Sequence, residues 1–221
     1  MQPRFIAILL PFLGLSLGGC GSLLAPASAP LTYRLNPETT QTERPAQARF
    51  PYSIQVATPR SEAGFDTSAI AYRQQPYRLD YYTQSRWVDQ PATMLGERIT
   101  HALEQSGAYR IVLAPATALP SDLRLTTELV ALEQVFSDST TPPAGESTVR
   151  LALRLQLIDA NKSLALASGR IDLTHPAPSA DALGAVTAAN AALREAMPQI
   201  VQFCVENTPK TLTSTSAGNT Q

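Results

Sequence analysis

Cysteine and histidine are scarce in this sequence, which holds two of each among its 221 residues. The cysteines, Cys20 and Cys204, are too few for a disulfide scaffold or a cysteine-rich zinc site. The histidines, His101 and His175, fall in separate predicted elements and indicate no shared metal site. Metalloprotease, serine-hydrolase, Walker A and dinucleotide-binding motifs are also missing. We therefore expect no metal, no bound cofactor and no enzymatic activity.

Charge is low as well. Charged residues make up 16% of the chain, against roughly 25% in ordinary soluble domains, and the formal net charge is -1. A nucleic-acid-binding surface needs an excess of basic residues to neutralise phosphates. The composition therefore predicts no nucleic-acid partner.

The sequence also lacks an apolar run long enough to span a bilayer, which takes about 20 residues. An apolar stretch at residues 5–17 follows Arg4 and contains thirteen residues, which is typical of a secretory signal. We predict that residues 1–19 are a signal peptide. The stretch ends in Leu-Gly-Gly-Cys at Cys20, and this sequence resembles a bacterial lipobox.

The lipobox resemblance implies that Cys20 becomes the first residue of the mature chain. Its sulfur would carry a diacylglyceryl group and its amine an acyl chain, and two chains already give stable membrane anchoring. The alternative is an ordinary signal whose cysteine is incidental. Gly21 stands where an Asp would retain a lipoprotein in the inner membrane. This favours the periplasmic face of the outer membrane over the inner membrane.

The composition divides the mature chain into three parts. Residues 20–49 are rich in Pro, Ala, Thr and Gln, and predict a lipid-anchored flexible tether with one candidate strand at 33–35. Residues 50–206 have the size of a single domain. Residues 207–221 are rich in Thr and Ser and predict a disordered tail.

Hydrophobic periodicity within residues 50–206 predicts an α+β fold. Alternation predicts strands over 52–57, 69–72, 79–88 and 109–113, and a three-stranded antiparallel meander over 123–131, 149–157 and 163–173. A first helix is predicted from Pro91 to Gly107. A second, capped by Ser179, carries an apolar seam from Leu183 to Cys204 and is expected to kink or split at Pro198. The sum is an antiparallel-rich sheet with two main helices packed on one face.

Two features of these elements leave alternatives open. The apolar seam of the second helix packs on the domain's own sheet or on a coiled-coil partner. Residues 60–89 interleave arginines with aromatic side chains, which is typical of a structural hairpin or of a protein-binding surface. The candidate residues for such a surface, or for a family-specific core, are Tyr72, Arg73, Tyr77, Arg78, Tyr81, Arg86 and Trp87.

A long composite pattern resembles a known family. It comprises Ile54-Gln55-Val56, Pro59-Arg60, Ile70-Ala71-Tyr72-Arg73, Pro76-Tyr77-Arg78-Leu79, Tyr81-Tyr82, Arg86-Trp87-Val88-Asp89, Pro91 and Met94-Leu95, followed by Leu103-Glu104-Gln105-Ser106-Gly107. In order and spacing these residues resemble the ABC-type transport auxiliary lipoprotein family, also called PqiC-like. The resemblance is strongest over residues 52–113 and extends to about residue 205.

The resemblance implies an accessory lipoprotein of an ABC/MCE-type intermembrane lipid transport system. The implied partners are an MCE-domain periplasmic protein and its ABC permease and ATPase, with docking at the outer membrane. Some members form rings, which implies homo-oligomerisation. The family pattern carries no catalytic residues. Two other functions stay open: a structural lipoprotein of envelope assembly, and a periplasmic hydrolase, which would need a nucleophile and a base within hydrogen-bond reach.

Overall fold

The structure is a computed structural model, and it describes residues 29–36, 48–137 and 146–212. The predicted signal peptide 1–19, the lipidation site Cys20 and tail residues 213–221 lie outside the described residues, as does most of the predicted tether. The described strands and helices are β1 (Leu31–Tyr33), β2 (Phe50–Val56), β3 (Arg60–Ser61), β4 (Ala69–Gln75), β5 (Arg78–Trp87), α1 (Pro91–Ser106), β6 (Tyr109–Leu113), β7 (Leu123–Phe136), β8 (Ser147–Asp159), β9 (Leu164–Pro176) and α2 (Ala182–Asn207).

The long strand β7 organises the sheet. One of its edges pairs with β8 in antiparallel fashion over its whole length, and β8 pairs in turn with β9. Its other edge pairs in succession with β2, β3 and β4, all parallel to it. Beyond that edge the sheet branches, because β2 continues to β6 whereas β4 continues to β5 and then β1.

The prediction of an antiparallel-rich sheet is wrong, although the α+β class fits. Five of the eight strand pairings in the described part are parallel, so the sheet is mixed. The predicted β7–β8–β9 meander and the β4–β5 hairpin are confirmed. Alternation within a strand shows which side is buried but not which strand lies next to it. The parallel pairs were missed for that reason.

The two helices pack on the same face of the sheet and differ in how their ends are fixed. Helix α1 begins with Pro91 and is followed by Gly107 at φ 60°, as predicted. Helix α2 begins after Asp181, whose carboxylate accepts a hydrogen bond from the Gly184 N–H. The predicted cap, Ser179, instead donates its hydroxyl to Asp181. Helix α2 continues through Pro198, so the predicted division there does not occur.

The core lies between these helices and the inner face of the sheet. Its largest fully buried side chains are Tyr109, Ile54, Ile70, Leu95, Ile99, Leu103, Leu123, Leu125, Leu129, Leu153, Leu155 and Leu157. The predicted seam of α2 contributes buried residues from Val186 to Cys204, whereas Leu183 is exposed. The seam packs on β8, β9 and α1 of the same chain. Neither described helix has the length and apolarity needed to cross a membrane.

A bulge in β7 changes which side chains face the core. The pairing of β7 with β8 shifts between Leu129 and Ala131, which leaves Val130 as the extra residue. Leu125 and Leu129 face inward before the bulge, and Leu132 faces inward after it. Unbroken alternation from Leu125 and Leu129 would place Ala131 on the inner face, but the bulge places it on the opposite face beside Ala152.

The folded unit includes residues on both sides of 50–206. Strand β1 pairs with the end of β5, and Leu35 is buried. Asn36 joins the two helices, because its N–H donates to Asn190 Oδ1 at 2.7 Å and its own Oδ1 accepts from Arg98 at 2.7 Å. At the other end the Leu212 N–H donates to the Tyr52 hydroxyl at 2.8 Å. Described residues on both sides of 50–206 therefore belong to the packed fold.

Candidate functional site

The arginine- and tyrosine-rich segment forms the β4–β5 hairpin, and its tip is exposed. Tyr77 occupies the turn at φ 66° and is fully accessible to solvent. Next to it, Arg78 Nε lies 2.9 Å from Asp80 Oδ2. Tyr81, also exposed, donates its hydroxyl to the Gly64 carbonyl at 3.0 Å. Tyr77 and Arg78 thus lie at the turn, whereas Tyr81 lies further along β5, opposite Ala71 on β4. We call these three exposed residues the tip group.

Other side chains of the hairpin are built into the fold. Trp87 is 2% exposed and belongs to the main core. The half-buried Tyr72 ring lies 4.8 Å from the Tyr82 ring and 5.9 Å from the Phe136 ring, measured between centroids. Tyr82 donates to Gln134 Oε1 at 2.5 Å, and burial, with a smaller contribution from the Asp181 charge, raises the pKa of Tyr82 to about 12. One segment therefore holds both a structural part and a presented tip.

The remaining two candidates, Arg73 and Arg86, belong neither to the tip group nor to the core. Arg73 Nε lies 3.2 Å from Glu133 Oε2, and the Glu133 side chain is 7% exposed. This ion pair joins β4 to β7 on the face of the sheet opposite the helices. Arg86 is exposed on β5 and forms no ion pair with any residue that the structure describes. The structure thus separates the seven candidates into four sets. They are the packed Tyr72 and Trp87, the tip group, the ion-paired Arg73 and the exposed Arg86.

The outer face of the sheet, opposite the helices, carries rows of charge. Arg150 donates two hydrogen bonds to Asp172, at 3.0 and 2.8 Å, and Arg170 lies 3.3 Å from the same carboxylate. The Arg150 hydrogen bond is the main reason that the pKa of Asp172 lies below its usual range. Arg154 pairs with Glu128 on the neighbouring strand. The sequence pattern alone could not show these pairs, because they depend on cross-strand register.

The cysteine and the two histidines of the described residues have separate surroundings. Cys204 is fully buried, and burial raises the pKa of its thiol to about 12, which makes it unreactive. His175 Nε2 lies 2.9 Å from Glu195 Oε2, whereas His101 is exposed on α1. Within residues 29–36, 48–137 and 146–212 no group of three or more His, Cys, Asp or Glu is placed to hold a metal ion.

Comparison with known families identifies the fold. The sequence model of the family described as "ABC-type transport auxiliary lipoprotein component" matches residues 33–201. The chain belongs to this family. The matched span runs from the last residue of β1 into α2, so it includes strands β2 to β9, all of α1 and most of α2. The family predicted from the Arg/Tyr/Trp pattern is confirmed.

Solved structures share the fold. Protein XCC0632 from Xanthomonas campestris is 22% identical, and the match covers 80% of this chain and 95% of that chain with a TM-score of 0.68. An uncharacterized protein is 10% identical, with coverage of 79% and 98% and a TM-score of 0.58. No curated protein matches the chain.

Proposed function

We propose that this family member is a membrane-anchored accessory lipoprotein of an ABC/MCE-type intermembrane lipid transport system. It docks or stabilises the periplasmic MCE assembly at the outer membrane, and its contribution is binding, without a catalytic step. The observation that carries the proposal is the family match over residues 33–201, which covers most of the described fold. The lipobox-like sequence at Cys20 supports it independently.

The anchor in this proposal is a diacylglyceryl group and an N-acyl chain on Cys20. Eleven residues lead from Cys20 to Leu31, where the described fold begins its first strand. A fully extended chain of that length reaches at most about 40 Å, and a flexible coil spans about 18 Å. The β1 edge is therefore held closer to the membrane surface than a tether reaching residue 49 would allow.

A Cys20→Ala variant tests the anchor. The variant should be absent from the membrane fraction and be found as a soluble or uncleaved precursor. The wild-type chain should sediment with outer-membrane markers on a density gradient. Normal processing and membrane fractionation of the variant would contradict lipid attachment. Sedimentation of the wild-type chain with inner-membrane markers would contradict the outer-membrane location.

The docking surface in this proposal is the hairpin tip formed by Tyr77, Arg78 and Tyr81. Tyr and Arg are enriched among the residues that dominate protein–protein binding energy. The burial of Trp87 fixes the base of the hairpin, and the Tyr81–Gly64 hydrogen bond braces its side. Because the tip is held in place before binding, docking costs less conformational entropy than it would for a loose loop.

Site-specific photo-crosslinking in native membranes tests the docking role. A photoreactive residue at Tyr77 should capture an MCE-domain protein. The same residue at Asn161, in the exposed turn between β8 and β9, is the matched control and should not. Capture of outer-membrane assembly factors at Tyr77 would favour the structural-lipoprotein alternative. Failure to capture an MCE-domain protein at Tyr77 would count against the transport role.

A further inference from the structure

A groove of about 490 Å³ lies on the outer face of the sheet, at the end of β7 away from the β4–β5 hairpin. Strands β7, β8 and β9 and the turn between β2 and β3 form its walls. Its cationic side chains are Arg60, Arg124 and Arg154. The one carboxylate among its described lining residues belongs to Glu128.

The strand register brings the charged side chains of the groove together. Arg60 on β3 lies opposite Glu128 on β7, and Glu128 lies opposite Arg154 on β8. Neighbouring strands are about 4.8 Å apart, so the two arginines flank Glu128 on either side. Arg124 lies on the same face of β7 as Glu128, four residues earlier, and lines the same groove.

The backbone that carries Arg60 is fixed before any ligand arrives. The Ala57 N–H donates to the Leu125 carbonyl at 2.9 Å, and the Glu62 N–H donates to the Leu129 carbonyl at 3.0 Å. Pro59 packs on α1 at Gly96, where a Cβ would come within 2.9 Å of the Pro59 Cδ. This close approach needs glycine at position 96. The turn that presents Arg60 is therefore braced by both the sheet and a helix.

The charges of the groove are not balanced within the fold. Glu128 pairs with Arg154, whereas Arg60 and Arg124 form no ion pair with any residue that the structure describes. At the opposite end of the same face, Arg73 and Arg150 each have a carboxylate partner. The groove therefore keeps a surplus of two positive charges, which favours an anionic ligand.

The other lining groups of the groove indicate which kind of anion it can bind. The hydroxyls of Thr58 and Ser168 add hydrogen-bond donors to those of the arginines. A phosphodiester offers only acceptors and hydrogen phosphate offers mostly acceptors, and arginine binds either in bidentate fashion. No aromatic ring belongs to the described lining, so there is no platform for stacking a base.

A second, apolar cavity in the described core is small. The apolar cavity between the helices and the sheet, which touches Leu35, Leu95 and Leu193, holds about 10 Å³. That is about the space that one water molecule needs. We propose that the groove binds a phosphate-bearing anion, either free phosphate or the phosphodiester of a lipid headgroup, through Arg60, Arg124 and Arg154.

Calorimetric titration of the full mature chain in phosphate-free, non-ionic detergent tests this proposal. One titration uses inorganic phosphate and the other uses glycerophosphoglycerol, a soluble phosphodiester headgroup. Saturable binding is expected, and Arg60→Gln or Arg124→Gln should weaken it at least about tenfold. Arg86→Gln is the matched control, since Arg86 is exposed, forms no ion pair in the described part and does not line the groove. Glu128→Gln should tighten binding, because it removes the competing carboxylate.

The two ligands distinguish the source of the anion. Tighter binding of glycerophosphoglycerol assigns the groove to a headgroup, and tighter binding of inorganic phosphate assigns it to the free ion. Absence of saturable binding of both ligands overturns the proposal, as does equal weakening by Arg86→Gln. The titration needs no partner protein, so its failure is distinguishable from failure of the transport role.

Discussion

The two faces of the β7–β8 pair use the same strands for different purposes. The inner face is apolar and sealed, with Leu125, Leu153 and Leu155 each at most 1% exposed. The outer face carries charge in rows, with Arg154 and Glu128 remaining accessible to solvent. Along each strand, residues that stabilise the fold therefore alternate with residues that are available to bind a ligand. Alternate residues can therefore change under different constraints.

Truncation of the single tryptophan should give the largest loss of stability and so gives the sharpest contrast between core and surface. We expect Trp87→Ala to lower the free energy of unfolding by about 3–5 kcal/mol, because the ring is 2% exposed and leaves a cavity. Tyr77→Ala on the same hairpin should change it by less than about 0.5 kcal/mol. Urea denaturation measures both. Similar losses for the two variants would contradict the division of the hairpin into base and tip.

Adjacent residues of β8 test the comparison more locally. Leu155→Ala should lower the free energy of unfolding by about 2–5 kcal/mol, since the side chain is 1% exposed. Its neighbour Arg154 points to the other face and is paired with Glu128 near solvent. Arg154→Ala should therefore cost no more than about 1 kcal/mol. Urea denaturation with unchanged m-values measures both changes. An equal loss of unfolding free energy for the two variants would contradict the difference between the two faces.

The smallest effect concerns the pH dependence of the outer face. The hydrogen bond from Arg150 holds the pKa of Asp172 below its usual range, about 3.9 in an unfolded chain. Asp172 therefore adds stability that is complete above about pH 4 and is lost as pH falls through its lowered pKa. Thermal unfolding should show a stability gap between wild type and Asp172→Asn that narrows below about pH 4. A gap that does not change with pH would show that the ion pair contributes nothing.

Much of the local structure could be predicted from the sequence because local signals determine it. Pro91 and Gly107 mark the ends of α1, and the alternating leucines of β7 and β8 identify an antiparallel meander. The parallel pairing of β2, β3 and β4 with β7 had no local signal, because it joins segments far apart in the chain. Strand β3 spans two residues, Arg60–Ser61, and is too short to show a period.

Of the two candidate sites, one could be predicted in part from the sequence and the other could not. The Arg/Tyr/Trp segment could be found from composition, and its base and tip could not be separated until the hairpin was placed on the core. The groove could not be predicted, because Arg60, Arg124 and Arg154 lie on three different strands and form no motif. Their approach depends on cross-strand register and on the packing of Pro59 against Gly96.

The intact mass of the mature protein purified from its native membranes tests the central claim most directly. The account predicts a chain that begins at Cys20 and carries a thioether-linked diacylglyceryl group and an acyl chain on its amine. A mature chain with a free N-terminal amine and an unmodified Cys20 thiol would contradict the account, because nothing would then hold the domain at the membrane.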